Sequence, residues 1–256
     1  MLSIALIQTA LYWENPTANL AMLEEKIAGI SSPVDIIVLP EMFTTGFTMK
    51  PALWAEPMNL TTFKWLRQMA AQANAVVTGS YVVSEGGQYF NRLVWMQPDG
   101  QFDTYDKRHL FRMGGEHLHY TAGQQRLVKE WRGWRICPLV CYDLRFPVWS
   151  RNVNLEYDLL LYVANWPAAR RHHWNSLLTA RAIENLSYVV AVNRTGDDGN
   201  GMAHAGDSSV IDFKGEVLFR ADTEEQIHIH TLDHDALTTY RERFPAYMDA
   251  DEFEIT

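Results

Sequence analysis

The chain has 256 residues, of which 31 are acidic and 22 basic, so its formal net charge at pH 7 is −9. This negative charge disfavours binding to nucleic acid and to anionic membrane surfaces, because both require a basic protein surface. Hydrophobic residues make up 47% of the chain, which is enough to build an ordinary globular core. We therefore expect a globular protein with neither a nucleic-acid partner nor a membrane partner.

The chain contains two cysteines, Cys137 and Cys141, which fall in one predicted strand. Neighbours in one strand are poorly placed to form a disulfide bond. The N-terminus lacks the basic segment and the long apolar run of a signal peptide, and no run reaches the roughly 18 apolar residues of a membrane span. We therefore expect a cytoplasmic protein whose thiols stay reduced.

The apolar pattern of the first half predicts strands that alternate with helices and hairpins. The strands are predicted at residues 3–9, 34–39, 75–83, 90–97 and 102–105, and the helices at 15–30 and 60–73. In the second half, strands are predicted at 133–140, 157–163, 188–193, 208–212, 217–221 and 226–231, with helices at 173–185 and after the capping residue Asp233. The mixture favours sheets covered by helices, in one domain over residues 1–256.

Three reactive side chains directly follow predicted strands, namely Glu41, Lys107 and Cys141. Cys141 lies at a corner where Pro147 could begin a helix, and the free N–H groups of such a corner favour a thiolate and can hold an oxyanion. If the three strands are neighbours, the side chains can meet in one pocket. A thiol, a carboxylate base and a cation suffice for acyl transfer. Each residue alone is weak evidence, because an isolated lysine is usually a solvated surface group and a lone cysteine usually a small buried apolar residue.

Three segments resemble the signature blocks of the nitrilase superfamily, the carbon–nitrogen hydrolases. They are residues 39–43 (LPEMF), 105–111 (YDKRHLF) and 140–147 (VCYDLRFP). Their order and wide spacing fit as well, and residues 117–120 and 181–185 fit the bacterial omega-amidase branch of that superfamily. The resemblance implies an α/β fold of the four-layer α-β-β-α sandwich type and a homodimer formed through the helices near the nucleophile. It implies neither a metal nor an organic cofactor.

The resemblance also implies roles for single residues. By position, Glu41 matches the general base, Lys107 the lysine that stabilises the oxyanion, and Cys141 the nucleophile. Glu116 matches a second glutamate that positions the site, and the N–H of Tyr142 would complete the oxyanion hole. The residues that we predict to contact the substrate are Phe43, Arg112, His117, Asn165, Trp166, Pro167 and Arg170.

The implied activity is that of an omega-amidase, which hydrolyses the terminal amide of 2-oxo dicarboxylate monoamides such as 2-oxoglutaramate and 2-oxosuccinamate through a cysteine thioester. Such a small-molecule amide carries a free carboxylate, which calls for a cationic anchor. The candidates are Arg112, Arg145, Arg170 and Arg171, of which Arg145 is the weakest because it belongs to the general motif. Two alternatives stay open: another amidase of the superfamily (an N-carbamoyl amidase, a deaminated-glutathione amidase or a nitrilase), and a catalytically inactive binding protein on the same fold.

Two pairs of histidines in the chain could be taken for metal ligands. His117 with His119, and His228 with His230, each place two rings on one face of an extended segment. A zinc site needs three or four ligands, and no cysteine or carboxylate cluster at ligand spacing accompanies either pair. We therefore predict that the protein binds no metal.

Overall fold

The computed structural model describes residues 1–251 and 253. Within these residues fourteen strands, numbered along the chain, form two six-stranded sheets and one two-stranded hairpin. The first sheet has the order β14-β1-β2-β3-β4-β5. Its strands are β1 (Leu2–Gln8), β2 (Ile36–Val38), β3 (Val76–Glu85), β4 (Gln88–Met96), β5 (Phe102–Asp106) and β14 (Gln226–Leu232).

The second sheet has the order β13-β12-β9-β8-β7-β6. Strands β7, β8 and β9 are parallel, so their C-terminal ends lie at one edge of the sheet. The strands of this sheet are β6 (Lys129–Trp131), β7 (Trp134–Val140), β8 (Leu159–Ala164), β9 (Tyr188–Asn193), β12 (Ser209–Ile211) and β13 (Val217–Arg220). The separate hairpin consists of β10 (Thr195–Asp197) and β11 (Ala203–Ala205).

Helices cover the outer faces of the two sheets. Asn15 and Asp233 cap the first and the last α-helix through side-chain oxygens, and the cap at Asp233 is the one that the sequence predicts. The α-helices are α1 (Pro16–Ala28), α2 (Pro51–Trp54), α3 (Thr61–Ala73), α4 (Pro147–Ser150), α5 (Arg171–Asn185) and α6 (His234–Arg243). Short 3₁₀ helices lie at Arg112–Gly114, Glu116–Leu118, Cys141–Arg145, Val153–Leu155, Ala168–Arg170 and Ala246–Asp249.

The alternation of side chains along each strand builds the layers. In β1, Ile4 and Leu6 belong to the core between the two sheets, whereas Ala5 and Ile7 belong to the core beneath α1 and α3. This division follows from the period of two residues in a strand, which sends successive side chains to opposite faces. On the far side, Trp174 and the rest of the inner face of α5 pack against the second sheet. The arrangement confirms the predicted α-β-β-α sandwich.

Most predicted elements are present with shifted ends, and the structure adds short elements that the sequence did not predict, among them α2, β6, β10 and β11. Strand β6 was not predicted, because its three residues are too short and too polar to show alternation. Gly196 and Asp197 pair with β11, and the turn of the β10–β11 hairpin follows them. Among the described residues, no helix combines the length and the apolar character that crossing a bilayer requires.

Candidate active site

The chain topology brings the ends of several strands to one region. Strands β2 and β5 run in the same direction, because β2 is parallel to β3 and both β3 and β5 are antiparallel to β4. Glu41 lies three residues beyond β2, Lys107 directly follows β5, and Cys141 directly follows β7 of the facing sheet. The side chains that the sequence separates by long intervals therefore reach a common pocket from both sheets.

A buried cluster of charged groups forms the floor of this pocket. Lys107 Nζ donates hydrogen bonds to Glu41 Oε1 at 2.8 Å and to the two carboxylate oxygens of Glu116 at 3.0 and 2.9 Å. The Asn91 amide donates to Glu41 Oε1 at 2.8 Å and to Glu116 Oε1 at 3.3 Å. The backbone N–H of Asn165 donates to the other Glu41 oxygen at 2.8 Å. All three charged side chains are at most 1% exposed, so their mutual pairing is what makes their burial tolerable.

The protonation of the cluster follows from its charges. Although burial disfavours the ammonium form of Lys107, the carboxylates of Glu116 and Glu41 raise its pKa well above the usual range, so the ammonium keeps its charge. Burial raises the pKa of Glu116, and the negative charge of Glu41 adds to this effect, while Lys107 opposes it. One cation therefore holds two carboxylates that repel each other.

Cys141 lies above this cluster in a strained turn. Its φ angle is +44°, in the left-handed region that residues with a side chain seldom adopt, and it begins a five-residue 3₁₀ helix. Burial and the neighbouring Glu41 carboxylate raise the pKa of its thiol well above 9.0, while Lys107 works in the opposite direction. Burial, which is the larger cause, and the charge of Glu41 therefore act against the thiolate that the sequence favours at this corner.

A cavity of about 140 Å³ opens above Lys107 and Cys141. Of the predicted residues, Tyr142, Asn165, Trp166, Pro167 and Arg170 all line it. Asn165 also donates its side-chain amide to the backbone oxygen of Glu41 at 2.5 Å, which ties the end of β8 to the base of the site. Four of the predicted substrate contacts, namely Asn165, Trp166, Pro167 and Arg170, therefore lie at the cavity.

Three predicted substrate contacts are absent from the cavity. Phe43 is fully buried and packs on Trp65 and Tyr81 beneath the helices, because the turn after Glu41 directs it to the opposite face. Arg112 lies on an exposed 3₁₀ turn, outside the lining. His117 follows Glu116 in a 3₁₀ turn, where successive side chains diverge by about 120°, so the inward direction of Glu116 sends His117 elsewhere.

The structure shows which of the four candidate anchor arginines lie at the cavity. Arg171 is paired in two hydrogen bonds with Asp207 and does not line the cavity. Arg170 and Arg145 do line it. The guanidinium of Arg170 lies 5.2 Å from the Phe111 ring centroid and has a buried Nη2 without a hydrogen-bond partner. The guanidinium of Arg145 lies 4.9 Å from the Trp166 centroid and donates to Nδ1 of His173 at 3.0 Å.

Sequence reasoning missed several residues of the site. The sequence around Asn91, in the middle of β4, does not indicate a role in the site, because a single asparagine in a strand does not differ in pattern from other polar residues there. Phe47 takes the aromatic position expected of Phe43, and its ring centroid lies 5.0 Å from Lys107 Nζ. The further lining residues are Met49, Phe111, Gly114, Asp198, Asn200, Met202 and His204, the last four from the β10–β11 hairpin.

Within residues 1–251 and 253, no group of three or more histidine, cysteine, aspartate and glutamate side chains is arranged to hold a metal ion. Both cysteines are free and buried. Burial raises the pKa of Cys137 to about 12, as suits a thiol that only fills space in the core. Cys141 is therefore the thiol that faces the cavity.

Comparison with known proteins adds independent information. Residues 3–242 match the family described as Carbon-nitrogen hydrolase. Omega-amidase YafV of Escherichia coli (strain K12) is 51% identical over 255 residues, which cover 99% of this chain and 98% of that protein. The 2-oxoglutaramate amidase of Bacillus subtilis (strain 168) is 34% identical over 251 residues, with 96% of both chains covered.

A solved structure matches the whole fold. It is XC1258 from Xanthomonas campestris, described as a CN-hydrolase superfamily protein with an arsenic adduct in its active site. The two structures superpose with a TM-score of 0.97 at 46% sequence identity, covering 100% of this chain and 99% of the other.

Proposed function

This chain belongs to the carbon–nitrogen hydrolase family, and we propose that it is an omega-amidase in which Cys141, Glu41 and Lys107 are the catalytic residues. The observation that carries the proposal is the buried contact of Lys107 with Glu41 and Glu116 beside a thiol that faces an open cavity. The substrate class comes from the relatives named omega-amidase and 2-oxoglutaramate amidase. The proposed substrate is therefore a dicarboxylate monoamide with a 2-oxo group.

The acylation step uses the resting protonation states. The Cys141 thiol keeps its proton, because burial and Glu41 raise its pKa, so Glu41 takes the proton as the sulfur attacks the amide carbon. The negative charge that leaves Glu41 passes to the carbonyl oxygen of the substrate. The protonated Glu41 then gives its proton to the amide nitrogen, ammonia leaves, and a thioester remains.

Two donors are available for the oxyanion. Lys107 lines the cavity and keeps its charge, and Tyr142 is the second residue of the 3₁₀ helix that Cys141 begins. The first N–H groups of a helix lack an intrahelical acceptor, so the N–H of Tyr142 can point at the oxyanion. Removal of one such donor typically raises the barrier by about 3–4 kcal/mol. Water that Glu41 deprotonates then hydrolyses the thioester.

The free carboxylate of the substrate requires a cation at the far side of the cavity. We assign this anchor to Arg170, because its buried Nη2 has no hydrogen-bond partner and its guanidinium faces the lining aromatic ring of Phe111. Arg145 supplies a second positive charge to the cavity lining. A planar guanidinium can bind a carboxylate through two parallel N–H···O hydrogen bonds, a fixed geometry that the single ammonium nitrogen of a lysine does not offer.

Ammonia release from a panel of amides tests the activity. We expect 2-oxoglutaramate and 2-oxosuccinamate to be hydrolysed faster than an N-carbamoyl amino acid or a nitrile. Deaminated glutathione, whose hydrolysis releases an amine instead of ammonia, is followed by the appearance of that amine and should also be a poorer substrate. A Cys141→Ala variant should be inactive and serves as the control for contaminating amidases. Turnover of a nitrile or an N-carbamoyl amino acid in preference to the 2-oxo amides would replace the omega-amidase assignment with another amidase of the family.

A homodimer and a cytoplasmic location complete the proposal. Val148 on α4 is 55% exposed and Ile183 on α5 is 51% exposed, so each of these two helices after the nucleophile exposes a large apolar side chain. Burial of these side chains between two copies would remove apolar surface from water. Sedimentation velocity tests it: an Ile183→Glu variant should shift toward the monomer. The two free, unbridged cysteines support a reducing compartment.

A further inference from the structure

A buried carboxylate outside the charged cluster connects the nucleophile to the lysine. Asp143 is fully buried and accepts four hydrogen bonds. Its Oδ2 accepts from the backbone N–H of Val140 at 3.0 Å and from the hydroxyl of Tyr105 at 2.7 Å. Its Oδ1 accepts from the backbone N–H of His109 at 3.0 Å and lies 2.8 Å from Nδ1 of the same ring.

These partners come from the two segments that must be aligned for catalysis. Val140 and Asp143 enclose Cys141 in its strained turn, with φ at +44°. Tyr105 and His109 flank Lys107, each two residues away along the chain. One side chain therefore fixes the nucleophile turn of the second sheet to the lysine segment of the first sheet.

Further contacts make this connection rigid. The ring of His109 stacks on Phe146 of the nucleophile turn, with centroids 3.8 Å apart and an angle of 8° between the ring planes. The hydroxyl of Tyr105 accepts a hydrogen bond from Trp149 Nε1 at 2.9 Å. Because that oxygen accepts from Trp149 and donates to Asp143, its orientation is determined.

We propose that Asp143 is a positioning residue, which holds the Cys141 turn and the Lys107 segment in register so that the sulfur faces Glu41 and Lys107. A residue in the left-handed region is retained only where surrounding interactions determine it, and Asp143 supplies these interactions. The hydrogen bond from Val140 fixes the residue before Cys141, and the bonds from Tyr105 and His109 fix the residues around Lys107. The inference deepens the proposed amidase function, since it rests on Cys141 and Lys107 acting together.

The first test compares Asp143→Asn with a matched control, Asp158→Asn. An asparagine keeps one acceptor oxygen but replaces the other with an NH₂ group, which cannot accept from Val140 or Tyr105. Asp158 is likewise buried and accepts several hydrogen bonds, from Arg135 and Arg241, at the opposite end of the strands. Both variants should lower Tm. Only Asp143→Asn should lower kcat, by about 100-fold with little change in KM, as small misplacements of a reacting group do.

A second measurement does not depend on the amide substrate. The rate of alkylation of Cys141 by iodoacetamide, followed by intact mass, reports whether the thiol still faces its base. It should fall by about tenfold or more in Asp143→Asn, in line with the loss of general-base assistance, and stay unchanged in Asp158→Asn. If the wild-type protein hydrolyses no amide, the proposed function fails, yet the alkylation comparison still tests the positioning role.

Variants of His109 and Tyr105, the hydrogen-bond partners of Asp143, test the proposal if Asp143→Asn does not fold. His109→Ala should lower kcat and the alkylation rate. His109→Asn should lower them less than His109→Ala does, because the asparagine amide can take the place of the Nδ1–H group that donates to Asp143. Tyr105→Phe should lower both through loss of one bond to Asp143. Wild-type kcat and alkylation in folded His109→Ala and Tyr105→Phe, or in folded Asp143→Asn, would overturn the proposal.

Discussion

Lys107 Nζ lies 2.8 Å from Oε1 of Glu41, although the two residues are 66 positions apart in the chain. The contact exists because β2 and β5 run in the same direction and end at the same edge of the first sheet. Both side chains are at most 1% exposed, so the ion pair is shielded from solvent and from salt.

Replacement of the general base Glu41 should lower the rate of the chemical step without weakening substrate binding. Glu41→Gln keeps the size of the side chain but removes the group that takes the thiol proton, so kcat should fall by about 10²–10⁴-fold with KM nearly unchanged. Steady-state ammonia release measures both constants. Glu56→Gln, which alters an acidic side chain bonded to Thr62 away from the cavity, is the control. A kcat within threefold of the wild-type value would contradict the role of Glu41.

Removal of the lysine charge should destabilise the fold as well as abolish activity. Lys107→Met leaves the carboxylates of Glu41 and Glu116 buried without a cation, and breaking a buried pair in this way costs about 3–5 kcal/mol. Urea denaturation measures the loss. The double variant Lys107→Met/Glu116→Gln should regain part of the stability, because it removes one of the repelling carboxylates. If the two changes are simply additive, the groups are not coupled as the distances indicate.

The shape of the cation should matter as much as its charge. In Lys107→Arg the positive charge is kept, but a broad planar guanidinium cannot occupy the place of a compact ammonium between two buried carboxylates. We expect less than a hundredth of the wild-type kcat, a loss comparable to removal of an oxyanion donor. Ammonia release is again the assay. Near-normal turnover in this variant would tell against a fixed position for the lysine.

The anchor assignment predicts a loss that depends on the substrate. Arg170→Met should raise KM for 2-oxoglutaramate by at least about tenfold, because a charged hydrogen bond to the carboxylate is lost. For an uncharged amide of similar length the change should be small. Arg171→Met, which removes a guanidinium that is already paired with Asp207, is the matched control. Equal losses on charged and uncharged amides would show that Arg170 shapes the cavity and does not bind the carboxylate.

The histidine of the hairpin should make stability depend on pH. Burial, together with the nearby Arg194 charge, lowers the pKa of His204 to about 4. Its pKa in the unfolded chain is about 6.5, so the stabilisation from a neutral ring is complete above that value and is lost as the pH falls toward 4. The loss amounts to at most about 3 kcal/mol. Urea denaturation at pH 7 and pH 4 should therefore show a smaller decrease in His204→Gln than in the wild-type protein, and an equal decrease in both would contradict the shift.

The sequence by itself predicted the features that depend on short-range patterns. Alternating and helical periodicities located most strands and helices, and the side-chain cap at Asp233 lies where the sequence placed it. The three motif segments identified the family and led to Glu41, Lys107 and Cys141. Catalytic candidates at strand ends can be found from the sequence because a polar residue that directly follows an apolar run stands out in the amino-acid pattern.

Only the tertiary structure decided which side chains meet. Phe43 turns away from the cavity and Phe47 enters it, because the direction of a side chain after a turn depends on local φ angles, such as the +42° of Met42, that no periodicity reveals. Asn91 joins the two glutamates across strands, and only Arg145 and Arg170 of the four candidate arginines reach the cavity. The pKa of Cys141 rises because of burial and a neighbouring carboxylate, and both are properties of the folded surroundings that the chain alone does not display.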